Sequence, residues 1–332
     1  MKKIYLIVLI VITYSCVDQK NISYTKLKGI ALGTSFHITY KNLNKIISEK
    51  QIDSLIFLVN KSMSTYLPTS DISRINKGDT TVEVDEMFQE VFKKSMKIYK
   101  ETGGAFDPTI GILVNAWGFG PNNKIENLDS LHVKHMLEFV GLHKIKLKDK
   151  KIVKEYDATY IDFNAIAKGY AVDIIGRFLE LKDINDYLVE IGGEIRARGS
   201  NPDGKNWKIA IEKPNFDGSR SFQTAIELKN ESIATSGNYR KFKIDANTGK
   251  KFAHTIDTKT GFPSQSNLLS ASVIANLDCA NVDAYATAFM AMGLKKSKSF
   301  LQKHSNLKCF LIYSDDDGNI KTFTTNNLQT EN

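Results

Sequence analysis

Two short segments of this chain carry residue types that suit chemistry at a phosphate ester. Asp283 and Thr287 lie four residues apart in a run of good helix formers, so their oxygens are predicted to share one helical face. Lys168 stands at a predicted helix start, shortly after a β-like run that ends at Asp162. Hard oxygen ligands suit Mg²⁺, and a lysine beside a helix N-terminus suits phosphate. The residues therefore predict Mg²⁺-assisted phosphate chemistry.

A folded domain must position these residues. That domain is expected to be exported, because the N-terminus has the pattern of a bacterial lipoprotein signal. Two lysines precede an apolar run at 4–13 that is too short to span a membrane. A small residue and then Cys16 follow, before a polar stretch. We predict a signal peptide at 1–15, a lipid on Cys16 as membrane anchor, a tether at 16–28 and a catalytic domain on the periplasmic side of the bacterial cell envelope. An ordinary secretory signal and a retained span are the alternatives.

The composition is that of an ordinary globular protein. The chain has 332 residues, of which 42% are hydrophobic and 25% charged, with a net charge of +8. The lysines are dispersed, which argues against a nucleic-acid partner. Besides Cys16 there are only Cys279 and Cys309, with no CxxC pair, so zinc is not favoured and one disulfide stays open. Cys279 lies in an apolar run and is predicted to be a buried thiol.

The hydrophobic pattern predicts an α+β fold. Helices concentrate in the early and middle parts of the chain and strands in the later part, without regular βαβ alternation. We expect one domain over 29–324 and a flexible tail over 325–332. Helical periodicity is predicted over 46–63, 85–102, 128–140, 168–181, 282–292 and 295–304.

Nine short motifs, in this order along the chain, resemble the FAD:protein FMN transferase family, the ApbE-like flavin transferases. The resemblance extends over about 29–313, almost all of the chain that follows the predicted signal. The motifs are Leu32 to Thr34, Ser64 to Pro68, Gly104 to Thr109, Trp117 to Gly120, Asp162 to Asp173, Glu190 to Glu194, Ser236 to Tyr239, His254 to Gly261, and Asp283 to Thr287.

The resemblance implies a single large T-fold-like domain with a mixed or antiparallel sheet and surrounding helices. It implies Mg²⁺ held by Asp283, Thr287 and the backbone carbonyl of Ala165, with FAD as the substrate. The residues expected to contact FAD are Leu32, Tyr66, Ala105, Phe106, Asp107, Asp162, Lys168, His254 and Ile256.

His254 and Asp257 are the candidate catalytic residues. A neutral imidazole at His254 could take a proton from an attacking hydroxyl, and Asp257 could orient that imidazole or a ligand. A hydrogen-bonded structural histidine is the alternative. Thr258 stands where the family has proline.

The expected reaction moves FMN from FAD to a Ser or Thr hydroxyl of a partner protein and releases AMP. By resemblance, the acceptors are exported redox subunits with the motif Asp-x-x-Ser/Thr-Gly-Ala-Thr. Two alternatives remain open: a periplasmic FAD pyrophosphatase, in which water replaces the hydroxyl, and a flavin-binding lipoprotein without turnover.

Overall fold

The fold is built around one antiparallel sheet. The computed structural model describes residues 23–122, 124–126, 128–214, 221–238, 242–244 and 251–330. Its strands are β1 (Ser23–Ala31), β2 (Thr34–Asn42), β3 (Ile145–Lys148), β4 (Lys151–Lys154), β5 (Tyr187–Ile191), β6 (Glu194–Arg198), β7 (Trp207–Glu212), β8 (Phe222–Leu228), β9 (Ser232–Gly237), β10 (Phe242–Ile244), β11 (Lys251–Ala253), β12 (Leu268–Ala275), β13 (Lys308–Ser314) and β14 (Ile320–Thr324).

Eight of these strands form the main sheet, in the order β1-β2-β5-β6-β9-β12-β13-β14. All neighbouring strands in it run antiparallel. The remaining strands form three hairpins, β3–β4, β7–β8 and β10–β11. The predicted α+β class is therefore confirmed, and the main sheet is antiparallel rather than mixed.

Seven α-helices surround the sheet in the described part of the chain. They are α1 (Glu49–Met63), α2 (Asp71–Asn76), α3 (Glu86–Glu101), α4 (Gly111–Ala116), α5 (Ser130–Leu137), α6 (Ala167–Leu181) and α7 (Cys279–Leu301).

Local signals account for several helix ends. The side chain of Ser48 accepts a hydrogen bond from the amide of Gln51 at the start of α1, and Asp85 caps α3 through the amide of Phe88. Within α7, Gly293 has φ 76° and ψ 173°. This kink falls between the two helices predicted at 282–292 and 295–304, so α7 is two helical segments joined at a glycine.

The two helices that carry the candidate site pack on one face of the sheet. Val172 and Ile175 of α6 and Ala284 and Phe289 of α7 are fully buried in the main core. This core fixes both helices rigidly, because each presents an apolar face to the strands.

A second core covers the opposite face of the sheet, and it includes part of the predicted tail. Trp207 of β7 and Leu328 belong to the same buried cluster, with Leu328 8% exposed. The amide of Thr325 also donates to the carbonyl of Cys309 at 3.1 Å. In the described part of the predicted tail, Thr325 and Leu328 therefore contact the rest of the domain.

The N-terminal boundary also differs from the prediction. Residues 23–28, predicted as tether, belong to β1 and pair with β2, because the alternating pattern of the strand starts before Gly29. The predicted signal peptide at 1–15 and Cys16 lie outside the described residues. Within the described residues, no helix combines the length and apolarity of a membrane span.

Both described cysteines are buried, free thiols. Cys279, at the start of α7, is buried, which confirms the predicted buried thiol. Cys309 is also buried and forms no disulfide. The disulfide that the sequence left open is absent between these two described residues.

Candidate functional site

One large cleft collects the predicted site residues. Its volume is about 1200 Å³, above the roughly 300–1,000 Å³ of pockets for drug-sized ligands. Asp257 is the one predicted site residue among those described that does not line it. The predicted residues that do are Leu32, Tyr66, Ala105, Phe106, Asp107, Asp162, Ala165, Lys168, His254, Ile256, Asp283 and Thr287.

The centre of the cleft is the point where α6 and α7 touch. Asp283 of α7 is buried, and its Oδ2 accepts a hydrogen bond of 3.1 Å from the amide of Gly169. Gly169 lies in the first turn of α6, where the backbone amides have no partner within the helix. The carboxylate of Asp283 accepts from this amide, so the N-terminal turn of α6 faces Asp283.

This arrangement offers hard oxygen donors of the kind that Mg²⁺ prefers. Thr287, one turn beyond Asp283 on α7, lines the cleft, and its hydroxyl is 3.2 Å from the hydroxyl of Ser236 on β9. Ala165 also lines the cleft. One carboxylate, one hydroxyl and one carbonyl fit a cation that keeps the rest of its octahedron for water and phosphate. No cluster of three or more His, Cys, Asp or Glu residues suited to a metal occurs in the described chain.

Lys168 lies beside this wall and is paired with Glu194 of β6. The Lys168 ammonium forms a very short ion pair with Oε1 of Glu194. Burial opposes the charge of Lys168, but Glu194 and then Asp283 outweigh burial and raise the pKa of the ammonium. Lys168 therefore stays charged, as a phosphate anchor must.

Burial destabilises the charged forms of the two carboxylates at this wall, Glu194 and Asp283. Burial raises the pKa of Glu194 to about 7, Lys168 lowers it, and the nearby Asp283 raises it further. Burial also raises the pKa of Asp283, against the opposing effects of Lys168 and the Gly169 amide. Two buried acids thus share one ammonium.

Glu194 was missed as a site residue, although its motif was recognised. A usable signal was present in the sequence: Glu194 occupies an inward-facing position at the start of a strand, where an apolar residue is the norm.

At another part of the cleft, the turn between β1 and β2 presents Leu32. Leu32 and Gly33 have φ values of 50° and 76° and form the two-residue loop of the hairpin. Tyr66 also lines the cleft with 63% of its surface exposed. These two side chains offer apolar surface to the cleft.

Asp162 lies close to Tyr66 and is held in an unusual state. Burial raises the pKa of Asp162 to about 6, and the amide of Asn164, which donates to Oδ1 at 2.7 Å, opposes the rise. Burial therefore favours the neutral form of the Asp162 carboxyl, which lines the cleft.

The segment Ala105 to Asp107 lines the cleft differently from the prediction. The carboxylate of Asp107 was expected to read a ring edge. Instead its Oδ1 accepts from the amide and hydroxyl of Thr109 at 2.8 and 2.6 Å, and Oδ2 accepts from the amide of Leu142. The Asp107 carboxylate holds the loop, which leaves the backbone and Phe106 to meet a ligand.

His254 lies on the cleft wall, with its ring edge-on to Phe119 at 6.5 Å between centroids. Oδ1 of Asp257 accepts from the amide of Lys259 at 2.8 Å and closes its own turn. Thr258, at the position where the family has proline, donates its hydroxyl to the carbonyl of Gly104 at 2.6 Å. This bond ties the His254 segment to the loop that carries Phe106.

Behind the cleft, a charged network that the sequence did not indicate fixes the start of α7. The carboxylate of Asp173 on α6 accepts from the amides of Cys279 and Ala280 at 2.8 and 2.9 Å. Arg196 of β6 donates to both Asp173 and Asp278. The orientation of α7, and with it that of Asp283, therefore depends on contacts from α6 and β6.

The comparisons with known proteins agree with this geometry. A family model described as the ApbE family matches residues 32–311. A Haemophilus influenzae protein named FAD:protein FMN transferase is 37% identical over 313 residues, which cover 90% of this chain and 89% of that protein. A Vibrio cholerae protein of the same name is 34% identical over 310 residues and covers 90% of each chain.

Solved structures give the same result. The flavin transferase ApbE from Vibrio cholerae matches with a TM-score of 0.80 at 32% identity, over 92% of this chain and 98% of that one. The apo flavinyl transferase ApbE from Pseudomonas stutzeri matches with a TM-score of 0.81 at 27% identity, over 92% and 95%. This chain belongs to the ApbE family.

Proposed function

We propose that this chain is an FAD:protein FMN transferase that moves FMN from FAD to a Ser or Thr hydroxyl of an acceptor protein. The names of its relatives support this activity. The observation that carries the proposal is the meeting of α6 and α7, where Lys168, the Gly169 amide and Asp283 converge on one cleft wall. That wall combines a phosphate anchor with metal-binding oxygens.

In the proposed reaction, the acceptor hydroxyl oxygen attacks the phosphorus on the FMN side of the FAD pyrophosphate. The bond from that phosphorus to the bridging oxygen breaks, AMP leaves with the bridging oxygen, and the new bond is a phosphoester. His254 accepts the hydroxyl proton, which raises the nucleophilicity of the oxygen. Asp257 is not assigned a part, because it does not line the cleft.

Lys168 would bind the pyrophosphate and offset the charge that develops on the leaving group. An ammonium has three donors, so the bond to Glu194 leaves others for phosphate. The first-turn amides of α6 favour an anion at the same place. Mg²⁺, when held by Asp283, Thr287 and the Ala165 carbonyl, would supply further neutralisation of the phosphate charge.

The acceptor and the location follow from the sequence expectations. We propose exported flavoprotein subunits with the Asp-x-x-Ser/Thr-Gly-Ala-Thr motif as acceptors, and a lipid anchor on Cys16 that keeps the enzyme at a membrane of the cell envelope. The dispersed positive charge argues against a nucleic-acid partner.

The test is incubation of the purified protein with FAD and Mg²⁺, with and without an acceptor fragment that carries the motif. We expect the acceptor to gain the mass of FMN less one water, to stay fluorescent after denaturation, and to release one AMP per FMN bound. A matched acceptor with Ala at the Ser/Thr position is the control and should stay unmodified.

The alternatives give different results in the same assay. Rapid formation of free FMN and AMP without acceptor, and no acceptor labelling, would identify a pyrophosphatase. Tight FAD binding without FMN or AMP under any metal condition would identify a flavin-binding protein without turnover. Either result would overturn the proposal.

A further inference from the structure

One oxygen atom at the cleft is buried without a partner. In the described chain, the buried side-chain atoms that lack a hydrogen-bond partner are Asn42 Oδ1, Ser95 Oγ and Glu194 Oε2. Of these residues only Glu194 lines the cleft, and it is 2% exposed. A buried acceptor that stays unsatisfied is costly, and Oε2 of Glu194 has no protein partner, so it is available to a ligand in the cleft.

The surrounding charges indicate what that ligand is. Oε1 of Glu194 is paired with Lys168, and the amide of the next residue, Gly169, donates to Asp283, so both carboxylates lie beside the first turn of α6. When both carboxylates are ionised, the single ammonium leaves one negative charge in a buried place, and a further cation would balance it. A water molecule bound to a divalent cation would balance this charge and also donate to Oε2 of Glu194.

We propose that Glu194 belongs to the divalent-cation site, with its Oε2 accepting a hydrogen bond from a water molecule bound to the cation that Asp283 ligates. The pairing of Oε1 with Lys168 holds the carboxylate in place, and Mg²⁺ usually keeps several of its waters. Such outer ligands orient the inner ones and tune affinity for the metal. The inference deepens the proposed function, because it rests on the metal site assigned there.

Mn²⁺ titration of the FAD-free protein, followed by the electron paramagnetic resonance signal of free Mn²⁺, tests the proposal without any turnover. The variant is Glu194→Gln, which keeps the size of the side chain. We expect Mn²⁺ affinity to fall by roughly tenfold to a hundredfold, the range for loss of an outer-sphere partner.

Glu190→Gln is the matched control. Glu190 lines the same cleft, but both of its oxygens are paired, Oε1 with the Gly193 amide at 2.7 Å and Oε2 with His37 Nδ1 at 2.7 Å. Its Mn²⁺ affinity should match that of the wild type. Circular dichroism and thermal unfolding check that each variant is folded. If Glu194→Gln does not fold, Glu194→Asp replaces it, because aspartate keeps the charge but shortens the side chain.

Lys168→Met separates a metal role of Glu194 from a role only as the partner of Lys168. Loss of the competing ammonium should leave Mn²⁺ binding no weaker than in the wild type. The proposal is overturned if Lys168→Met weakens Mn²⁺ as much as Glu194→Gln does, or if Glu194→Gln binds Mn²⁺ like the wild type.

Asp283→Asn separates failure of this inference from failure of the proposed metal site. Weakened Mn²⁺ binding in Asp283→Asn, together with wild-type binding in Glu194→Gln, rejects only the part assigned to Glu194. Wild-type affinity in Asp283→Asn would reject the metal site itself, and the inference with it.

Discussion

The amide of Gly169 lies 3.1 Å from Oδ2 of Asp283, so the first turn of α6 is bonded directly to the side chain that α7 presents to the cleft. The two helices approach closely here. A Cβ atom at Gly169 would lie 2.5 Å from the carbonyl oxygen of Cys279 and 2.8 Å from the Cα of Ala280. The geometry of the site therefore depends on a backbone contact that only glycine permits.

Gly169→Ala is expected to push α6 and α7 apart. The added methyl group meets backbone atoms, which cannot move independently, so we expect a loss of about 1–3 kcal/mol in the free energy of unfolding, as for other overpacked sites. Mn²⁺ affinity should fall as well, because Asp283 is displaced. Denaturant unfolding and Mn²⁺ titration measure the two effects.

Gly176→Ala on the same helix is the comparison. A Cβ there would lie 2.9 Å from Arg196 Cδ and 2.9 Å from the Tyr187 hydroxyl oxygen, both in side chains that can shift. We expect a loss of stability here too, because both side chains are packed, but a smaller loss of Mn²⁺ affinity, because the added methyl group does not meet the backbone beside Asp283. Equal effects of the two substitutions on Mn²⁺ affinity would contradict a special role for the Gly169 contact.

Asp283→Ala is expected to abolish Mg²⁺-dependent FMN transfer while the protein still folds, because it removes the charged oxygen ligand. Acceptor labelling by mass spectrometry and circular dichroism provide the measurements. Unchanged activity would rule out Asp283 as a ligand.

Thr287→Val should weaken the use of Mg²⁺ more than it weakens FAD binding, since it removes one neutral oxygen from the metal wall. The Mg²⁺ concentration for half-maximal rate and the FAD dissociation constant give the two quantities. Ser236→Ala removes the hydrogen-bond partner of Thr287 but keeps its hydroxyl, so its effect should be smaller. Equal losses of metal use and FAD binding in Thr287→Val would indicate a structural threonine.

We expect FAD binding to depend on pH because of Asp162. Its folded-state pKa is raised to about 6 by burial, so the carboxyl is neutral below that pH and charged above it. A charged carboxylate accepts hydrogen bonds from flavin or ribose more strongly, so FAD affinity should rise as the pH increases through about 6. Titration calorimetry from pH 5 to 8 measures it.

Asp162→Asn is the matched variant, because it cannot change its charge. FAD affinity should then be flat across this interval. If the variant keeps the pH dependence of the wild type, another group is responsible and the role assigned to Asp162 is wrong.

Replacement of Arg196 is expected to lower the free energy of unfolding strongly. Its Nη1 lies 2.9 Å from Asp173 Oδ1 and 2.8 Å from Asp278 Oδ1, and its side chain is 18% exposed. Arg196→Met leaves the buried Asp173 without its cationic partner, while Asp278 keeps Lys94 and Arg177, so the free energy of unfolding should fall by about 3–5 kcal/mol. Urea denaturation measures this loss.

Arg198→Met on the same strand is the control. Arg198 is 44% exposed and forms one pair, 3.0 Å from Glu180 Oε2, and such surface pairs contribute about 0–1 kcal/mol. A similar loss for both substitutions would show that the network around Arg196 does not determine the stability of the α7 start.

The sequence alone determined the features that depend on neighbouring residues. The four-residue spacing of Asp283 and Thr287 predicted a shared helical face, and both side chains line the cleft. The small residues before Lys168 predicted a helix start, and α6 begins at Ala167. The glycine between the predicted segments of α7 marked its kink. Helical periodicity and breaks are local, so they can be read without knowledge of the fold.

Only the tertiary structure decided which distant groups meet. Glu194 reaches Lys168 from another element, and Gly169 reaches Asp283 across 114 residues of sequence. The fold also decided the partner of Asp107, whose Oδ2 accepts from the amide of Leu142, 35 residues away. Strand order and helix crossing set these encounters, and both arise from packing of the whole core, which no short segment of sequence encodes.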